Sequence, residues 1–519
     1  MPTASAPSAT ITPPDEREPH LLPIARPRRA ARIIVAHLCI VASVIALYVW
    51  ARPLAGWSDS TLLYPASVAL LAELAWLLGS WKLMTGSVFD PYGIFIIAAT
   101  VFNAGCAFLY LFGLNTVGLM ILDFSFPADL TLQTLLLIFL CLAAFHFGAL
   151  LHAGARQTPL FPDRRATPQA SPSPEEIRFV GWALILVSAL PTALQLKQAI
   201  SVVRTSGYFG LYQQDYATGL QAGTQFLSSF IVPGALVLLA GSRDSRRGKI
   251  VSGIVVAIYA LIQLFLGARY PAIAPVIAYA LLWHRMVRPL PRALTIGAAI
   301  FLFGIVFPLV GSTRDKPADD PYAPQAAPSS SASPFTGVLA ETESTTATIA
   351  DTLTLVPSVR PFDHGTQYFY AVSTLIPNLF WDLHPATRHG LAGDWVTAIV
   401  DPGFAAAGGS LGYSFIAEAY LNWGWIGGPL FLGIIGFFFA QLVYWGCSAA
   451  APARMAAVAS FLTFIIFWSR GESINIVRPL VWYALVPYLM ILFVAYMERR
   501  GFGPMELWSR VRRQRENAV

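Results

Sequence analysis

The feature that most constrains this chain is a series of twelve long apolar runs, most of them long enough to cross a bilayer. A membrane-spanning helix needs about 20 predominantly apolar residues, and lipid offers an open backbone no hydrogen-bond partner. The runs also lack the polar–apolar alternation of an outer-membrane barrel. The sequence therefore predicts an all-α, polytopic membrane protein. The twelve predicted spans are residues 31–51, 61–81, 92–113, 130–151, 179–200, 225–241, 250–267, 271–288, 293–312, 424–446, 455–469 and 475–497.

Composition agrees with a membrane protein. Only 12% of the residues are charged and the mean hydropathy is +0.59, whereas a soluble domain carries about 25% charged residues. The net charge of +6 is explained by topology and contact with anionic lipid, which argues against a nucleic-acid partner. The four cysteines all lie in or beside predicted spans, so no disulfide framework is expected. Residues 1–25 lack the apolar core of a cleavable signal peptide, so the first span is expected to remain as an anchor.

Lysine and arginine placement predicts the orientation in the membrane. With both termini in the cytoplasm, 24 of the 34 Lys and Arg residues fall on the cytoplasmic side and 10 on the outer side. Cytoplasmic loops carry this excess in membrane proteins generally. The sequence thus predicts a cytoplasmic tail at each end of the chain and one large loop on the outer face.

The chain divides into five predicted regions. They are a disordered cytoplasmic tail (1–30), nine spans (31–312), a large periplasmic loop (313–423) with a disordered linker at 315–335, three spans (424–497) and a basic cytoplasmic tail (498–519). Beyond its linker the loop is rich in aromatic residues, Gly, Pro, His and Arg, which predicts short helices and turns resting on the outer membrane face. Long ordered loops in compact proteins commonly carry function.

Five arginines are predicted to face the outer end of the bundle: Arg269, Arg314, Arg360, Arg470 and Arg478. Guanidinium groups bind phosphate oxygens through paired donors and keep their charge, so a cluster of them suits a lipid-linked diphosphate. The alternative is that each side chain extends to the lipid headgroups. Function is favoured for Arg269, on a tight turn between two spans, and for Arg478, inside a span.

Two outer residues are candidate proton acceptors. Glu418 lies between aromatic residues just before a span, where partial desolvation favours general-base work; its alternative is a helix-start glutamate paired with a neighbouring arginine. His364 is the weaker candidate, because a single loop histidine is more often structural. The sequence has no HExxH motif, and its first outer loop has no paired DxD, so neither a metal nor another cofactor is expected.

Three segments resemble the Wzy-like oligosaccharide repeat unit polymerases. They are "GARYPAIAPVIAYALLWHR", "RPFDHGTQYFYAVSTLIPNLFWDLHP" and "GGSLGYSFIAEAYLNWGWIGGPLFLGIIG". The matching positions are Gly267 and Arg269, Gly365 through Pro377, and Ser414, Glu418, Tyr420, Asn422, Gly424 and Gly427, with Arg470 in a late "SRG". The resemblance covers about residues 180–500. The linker is not expected of the family.

The resemblance implies a metal-independent glycosyltransferase related to the GT-C class, in a bacterial inner membrane. Its substrate would be an undecaprenyl-diphosphate-linked oligosaccharide, and a chain-length regulator and a flippase are the implied partners. The arginines would hold the diphosphate, and Glu418 or His364 would accept a proton from the attacking sugar hydroxyl. Four aromatic side chains are candidates to stack on sugar rings, or else belong to an interfacial aromatic belt. They are Tyr368, Tyr370, Trp381 and Trp423.

Three other functions remain open from the sequence. An O-antigen-type ligase would use the same donor with a different acceptor. A lipid-linked oligosaccharide flippase or other transporter would carry the substrate across the bilayer, although the ionisable residues concentrate at the outer face. A structural scaffold would leave the charge of Arg478 inside a span unexplained.

Overall fold

The protein is helical and polytopic, which confirms the predicted class. The structure is a computed structural model that describes residues 27–55, 60–113, 126–156, 158–161, 172–207, 209–211, 219–301, 334–378, 381–406, 408–447 and 451–505. These ranges contain no β-strand. Within them, nine helices are long and apolar enough to cross a membrane: Arg28–Ala51, Leu63–Thr85, Pro91–Leu111, Ala128–Arg156, Pro174–Ser206, Gly219–Ala240, Arg246–Phe265, Phe415–Gly446 and Ile474–Arg499.

Three further predicted spans correspond to shorter helices. The span 271–288 matches Arg269–Leu282 with a π-helical turn to Val287, and the span 455–469 matches Pro452–Trp468. The span 293–312 begins with Arg292–Phe301 and then leaves the described residues. The count of twelve therefore stays a prediction.

The helices are numbered in chain order. They are α1 Pro27–Ala55, α2 Leu63–Thr85, α3 Pro91–Leu111, α4 Ala128–Arg156, α5 Pro174–Ser206, α6 Gly219–Ser228, α7 Ile231–Ala240, α8 Arg246–Phe265, α9 Arg269–Leu282, α10 Arg292–Phe301, α11 Pro334–Leu355, α12 Thr366–Ser373, α13 Pro385–His389, α14 Ala392–Val400, α15 Pro402–Ala406, α16 Phe415–Gly446, α17 Pro452–Trp468, α18 Ile474–Pro479 and α19 Val486–Arg499. A π-helical turn, Leu480–Leu485, joins α18 to α19.

Helices α4 and α16 come into close backbone contact at their glycines. A Cβ atom added to Gly148 would lie 1.8 Å from the Gly433 carbonyl oxygen, and one added to Gly436 would lie 1.9 Å from the Phe145 carbonyl oxygen. Small residues let membrane helices approach closely, and dispersion contacts then hold them together. This contact fixes α16, which begins beside the candidate site, against the first half of the chain.

Buried polar side chains connect the four helices α1, α2, α3 and α4. The Tyr92 hydroxyl lies 2.6 Å from Nδ1 of His146, and the Ser80 hydroxyl lies 2.7 Å from Nε2 of the same ring. His37 lies 3.0 Å from the Ala143 carbonyl oxygen through Nε2. Lipid offers these polar groups no hydrogen-bond partner, so the groups must bond to each other. These hydrogen bonds therefore select one arrangement of the four helices.

Helix α11 differs from the expectation for the large loop. Of the predicted linker, residues 334 and 335 are described, and they begin this helix. Its second half is buried, and the Thr346 hydroxyl donates to the Asn103 carbonyl oxygen of α3 at 2.9 Å. Thr352 bonds back to the Thr348 carbonyl oxygen at 2.6 Å, which lets a threonine-rich helix pack inside a bundle. This half of α11 therefore lies within the bundle rather than on its surface.

We expect Gly436→Ala to destabilise the protein, because the added methyl group must push α16 away from the Phe145 carbonyl oxygen. Overpacking of this kind costs about 1–3 kcal/mol. The matched control is Gly79→Ala, since a Cβ on Gly79, in α2, meets nothing within 4 Å. Thermal unfolding in one detergent compares the two. Equal apparent Tm values would show that α4 and α16 are not in backbone contact.

Candidate active site

The candidate site is centred on the turn between α17 and α18, residues 469–473, here named the SRGES turn. Its backbone leaves α17 through a hydrogen bond from the Arg470 N–H to the Phe467 carbonyl oxygen at 2.9 Å. Ser469, Glu472 and Ser473 are each buried. Residues of this turn contact several different elements, so the turn joins parts of the chain that are far apart in sequence.

Glu418 anchors the end of the turn to α16. One carboxylate oxygen accepts the Ser473 N–H at 2.8 Å, and the other accepts the Ser473 hydroxyl at 2.6 Å. The Glu418 side chain is 1% exposed. Both oxygens therefore form hydrogen bonds inside the protein. The sequence leaves two alternatives open for Glu418, a partly desolvated base or a partner of a neighbouring arginine.

Glu472 anchors the middle of the turn to α14. Its carboxylate accepts the N–H groups of Ala392 at 3.0 Å and Gly393 at 2.9 Å, the first two residues of that helix. An anion is favoured there because unpaired N–H groups and the helix dipole point at it. Burial nevertheless raises the pKa of Glu472 to about 7, against the opposing effect of these two hydrogen bonds.

Arg470 lies between α3 and the segment before α16. Its guanidinium carbon is 5.7 Å from the centre of the Phe102 ring, and a Cβ added to Gly412 would be 3.5 Å from its terminal nitrogen. Gly412 has a φ of +80°, which glycine adopts without strain. A larger residue at this position would meet both backbone strain and the guanidinium.

Arg269 begins α9 beside the end of α17. Gly267 turns the chain with a φ of +79°, as the tight turn in the sequence predicts. The next residue, Tyr270, packs against Phe467 with 4.7 Å between ring centres and donates to the Thr463 carbonyl oxygen. Because Arg470 follows Phe467 by one turn of chain, the two arginines border the same end of α17.

Arg360 forms a two-point ion pair within its own segment. Its Nε and a terminal nitrogen donate to the two Asp363 oxygens at 3.0 and 2.6 Å. The guanidinium also lies 4.8 Å from the Trp395 ring centre, a distance typical of cation–π contact. The paired carboxylate offsets the charge that Arg360 brings to the site.

The segment that follows Arg360 docks on a break in α16. Gly424 has a φ of +65° and a ψ of −162°, so the helix is interrupted there. The Leu421 and Asn422 carbonyl oxygens instead accept the N–H groups of Asp363 and His364, at 3.0 and 3.2 Å. These two N–H groups satisfy carbonyl oxygens that the break in the helix leaves without a hydrogen-bond partner.

Asn422 completes this docking through its side chain. Its Oδ1 atom accepts the Gly365 N–H at 2.9 Å, while its Nδ2 donates to the Glu418 carbonyl oxygen at 2.8 Å. His364 is held between these contacts with a φ of +48°, and its side chain is exposed. The loop histidine is thus fixed by its backbone and open through its ring.

Arg478 contacts protein backbone. Its Nε donates to the Thr374 carbonyl oxygen at 2.7 Å. The next two carbonyl oxygens, of Leu375 and Ile376, are bonded by Trp482 at 2.7 Å and His384 at 3.0 Å. Cations are favoured at a helix C-terminus, so this contact gives Arg478 a structural role at the end of α12.

The four candidate sugar-binding aromatics have different surroundings. The Tyr368 hydroxyl is buried, with its ring 4.5 Å from Phe431. Tyr370 stacks on His389 at 4.2 Å, and Trp381 packs edge-on against His384 at 5.1 Å. Trp423 is 38% exposed and would lie 3.0 Å from a Cβ on Gly365. Trp423 is therefore the one next to the backbone that carries His364.

The predicted cluster of arginines is only partly described. Arg314 lies outside the described residues. Arg269 and Arg470 border one end of α17. Arg360 pairs with Asp363, and Arg478 donates to the Thr374 carbonyl oxygen. Among the described ranges, no group of three or more His, Cys, Asp or Glu residues is arranged to hold a metal ion.

Sequence reasoning assigned no role to several residues that build this site. They are Glu472 and Ser473, which are part of the SRGES turn, and Asn103, which bonds to the Ser469 carbonyl oxygen. The signal available was weak: a Gly-Glu-Ser run after an arginine, and one asparagine inside an apolar span. Their partners lie more than 50 residues away in sequence, so the spacing of apolar residues does not reveal these contacts.

These observations define a class of protein, a helical membrane bundle in which one helix is broken. Arginines and buried carboxylates lie at one end of the bundle. The family model of the O-antigen polysaccharide polymerase Wzy matches residues 35–500. The chain belongs to this family, which confirms the resemblance seen in the sequence. No curated protein and no solved structure matches it significantly. The protein is a multi-pass membrane polymerase of the glycosyltransferase type, acting on lipid-linked oligosaccharide in O-antigen polysaccharide biosynthesis.

The buried carboxyl of Glu472 predicts a pH-dependent stability. Its folded-state pKa of about 7 lies above its ordinary value of 4.5, so the native state holds a proton that the unfolded chain has already released. Stability from this group is therefore present below about pH 4.5 and lost as the pH rises towards 7. We expect the Tm of the wild type, relative to Glu472→Gln, to fall between pH 5 and pH 8. A constant difference would contradict this.

The ion pair of Arg360 and Asp363 predicts a coupled pair of variants. Asp363→Asn is expected to destabilise the protein by about 1–3 kcal/mol, because it leaves a partly buried guanidinium without its charge partner. Arg360→Met with Asp363→Asn removes both charges, and is expected to recover part of that loss. Thermal unfolding of the single and double variants measures the coupling. Strictly additive effects would show that the pair does not interact.

Proposed function

We propose that the protein polymerises repeat units on undecaprenyl diphosphate, at the periplasmic face of a bacterial inner membrane and without a metal. The growing glycan is transferred from its lipid diphosphate to the non-reducing end of an incoming lipid-linked repeat unit. The observation that carries this proposal is the grouping of Arg269 and Arg470 at one end of α17. An exposed histidine, His364, is held on a backbone segment that docks on α16. A flippase and a chain-length regulator are its proposed partners.

Arg470 and Arg269 are proposed to bind the diphosphate of the donor. As the bond between the anomeric carbon and the diphosphate breaks, its electron pair leaves with the phosphate oxygen, so negative charge grows there. Fixed cations at that position stabilise the transition state more than the ground state. Arg360 adds positive charge nearby, reduced by Asp363, and Arg314 is retained as a sequence-based candidate. Arg478 is assigned instead to holding α12.

His364 is proposed to accept the proton of the attacking sugar hydroxyl. Of the two sequence candidates it has the exposed ring, whereas Glu418 is 1% exposed and both of its oxygens contact Ser473. The hydroxyl oxygen attacks the anomeric carbon, its proton passes to the imidazole, and the proton then returns to water. Glu418 supports the reaction by holding the SRGES turn.

Trp423 is proposed to stack on the acceptor sugar. Its partly exposed ring lies over Gly365, directly after His364, so a sugar on this ring would present its hydroxyl groups near the imidazole. Tyr370 and Trp381, each packed against a histidine, are proposed to line the path of the longer glycan. Tyr368, with its hydroxyl buried, is assigned to packing against α16.

The proposed orientation rests on the distribution of Lys and Arg and on which turns lie at the same end of the bundle. Arg285, after α9, donates to the Ser87 hydroxyl and the Phe89 carbonyl oxygen, both at 2.8 Å. The turn after α2 and the turn after α9 therefore lie at one end, and both are predicted to be cytoplasmic. The excess of Lys and Arg supports the same assignment, which leaves the SRGES turn towards the periplasm.

Reconstitution in nanodiscs tests the proposed function. Purified protein is given undecaprenyl-diphosphate-linked repeat units with EDTA present, and the products are resolved by length. We expect a ladder from the wild type, a loss of about 100-fold or more in Arg470→Ala, and a similar loss in His364→Ala. Arg388→Ala, which removes an exposed arginine elsewhere in the same region, is the charge-matched control and is expected to retain activity.

Each alternative gives a different result in this assay. A ladder that requires Mg²⁺ would reject metal independence alone. Transfer of glycan to a different acceptor without lengthening would identify a ligase. Movement of labelled lipid between leaflets with no ladder would identify a transporter. Full activity in His364→Ala would return the role of proton acceptor to Glu418, which Glu418→Gln would then test.

A further inference from the structure

Asn103, in the middle of α3, joins the two segments that carry the proposed site. It is fully buried in a membrane-spanning helix. Polar residues in such a position are costly unless every group is bonded. Every polar group of its side chain is engaged, and the partners come from widely separated parts of the chain.

The amide group of Asn103 uses both N–H bonds on carbonyl oxygens. One bond goes to Ala99 in its own helix at 2.7 Å, and the other goes to Ser469 of the SRGES turn at 2.9 Å. Both acceptors are carbonyl groups, which identifies the donating nitrogen without ambiguity. Ser469 directly precedes Arg470, so the amide holds the backbone from which the arginine extends.

The amide oxygen of Asn103 accepts the hydroxyl of Ser414. Ser414 is the N-cap of α16, since its hydroxyl oxygen also accepts the Ile416 N–H at 3.0 Å. That helix carries Glu418 one turn later, and Glu418 bonds to Ser473 at the far end of the SRGES turn. One amide thus connects the start of α16 to the start of the turn.

Phe102 adds a contact to the arginine itself. Its ring centre lies 5.7 Å from the guanidinium carbon of Arg470, within the range of cation–π attraction. Two consecutive residues of α3 therefore contact two consecutive residues of the turn, one through the backbone and one through the side chain. Neither residue belongs to a segment that resembles the polymerase motifs.

We propose that Asn103 and Phe102 are positioning residues that set the Arg470 guanidinium for diphosphate binding in the transition state. This inference rests on the proposed function of Arg470. A displacement of about 1 Å of a catalytic group is enough to cost about 100-fold in rate, so small losses of order in the turn have large effects. The substrate itself need not touch α3.

Steady-state polymerisation kinetics, with activity expressed per folded protein, test the proposal. Asn103→Ala is expected to lower kcat by about 10-fold or more, with a much smaller change in KM, because the arginine remains present but is less ordered. Phe102→Leu keeps an apolar side chain, and is expected to lower kcat in the same way. Thr100→Val is the matched control, since its hydroxyl bonds to the Ile96 carbonyl oxygen within the same helix, at 2.9 Å.

A double-variant cycle with Arg470→Lys separates positioning from general stability. If Asn103 acts through the arginine, Asn103→Ala costs much less in the Arg470→Lys background than in the wild type. Equal costs in both backgrounds would overturn the inference, as would a kcat for Asn103→Ala equal to that of Thr100→Val. If Asn103→Ala does not fold, Phe102→Leu supplies the same cycle.

Polymerisation by Arg470→Ala distinguishes a failure of this inference from a failure of the proposed function. If Arg470→Ala loses polymerisation and the α3 variants retain full kcat, the inference alone is wrong. If Arg470→Ala retains full polymerisation, the proposed role of the arginine is wrong and the inference is rejected with it.

Discussion

Two buried carboxylates hold the candidate site together. Placing a carboxylate out of water costs several kcal/mol unless strong donors replace its hydration. Glu418 obtains those donors from Ser473, and Glu472 obtains them from the first N–H groups of α14. The SRGES turn, α14 and α16 therefore assemble together, because any one of them alone leaves a buried carboxyl group or N–H groups without a hydrogen-bond partner.

The break in α16 is the second constraint, and it couples the outer segment to the membrane bundle. Helix α16 is held against α4 by glycine contacts on one side of the break. On the other side, the N–H groups of Asp363 and His364 replace the missing partners of two carbonyl oxygens, and the Gly365 N–H donates to the Asn422 side chain. A loop histidine tied in this way has a defined backbone, which is what a proton acceptor requires if its distance to a substrate hydroxyl is to be reproducible.

The arginines show how much of a candidate site depends on surroundings. The guanidinium groups are chemically identical, but their contacts in the structure differ. Arg360 has a carboxylate partner, and Arg478 completes the end of a short helix. Arg269 and Arg470 border the same end of α17, beside aromatic rings. Position in the fold, rather than residue type, therefore decides which arginines lie together at one end of α17.

The sequence by itself determined the membrane class, most of the long spans, the turn at Gly267 and the family. Those properties follow from apolar length, composition and local motifs, which are written in consecutive residues. Only the tertiary structure decided that α11 packs inside the bundle, that Glu418 bonds to Ser473, and that Asn103 contacts Ser469 and Ser414. These contacts join residues dozens to hundreds of positions apart, and a buried hydrogen bond between distant segments leaves no periodicity by which the sequence could reveal it.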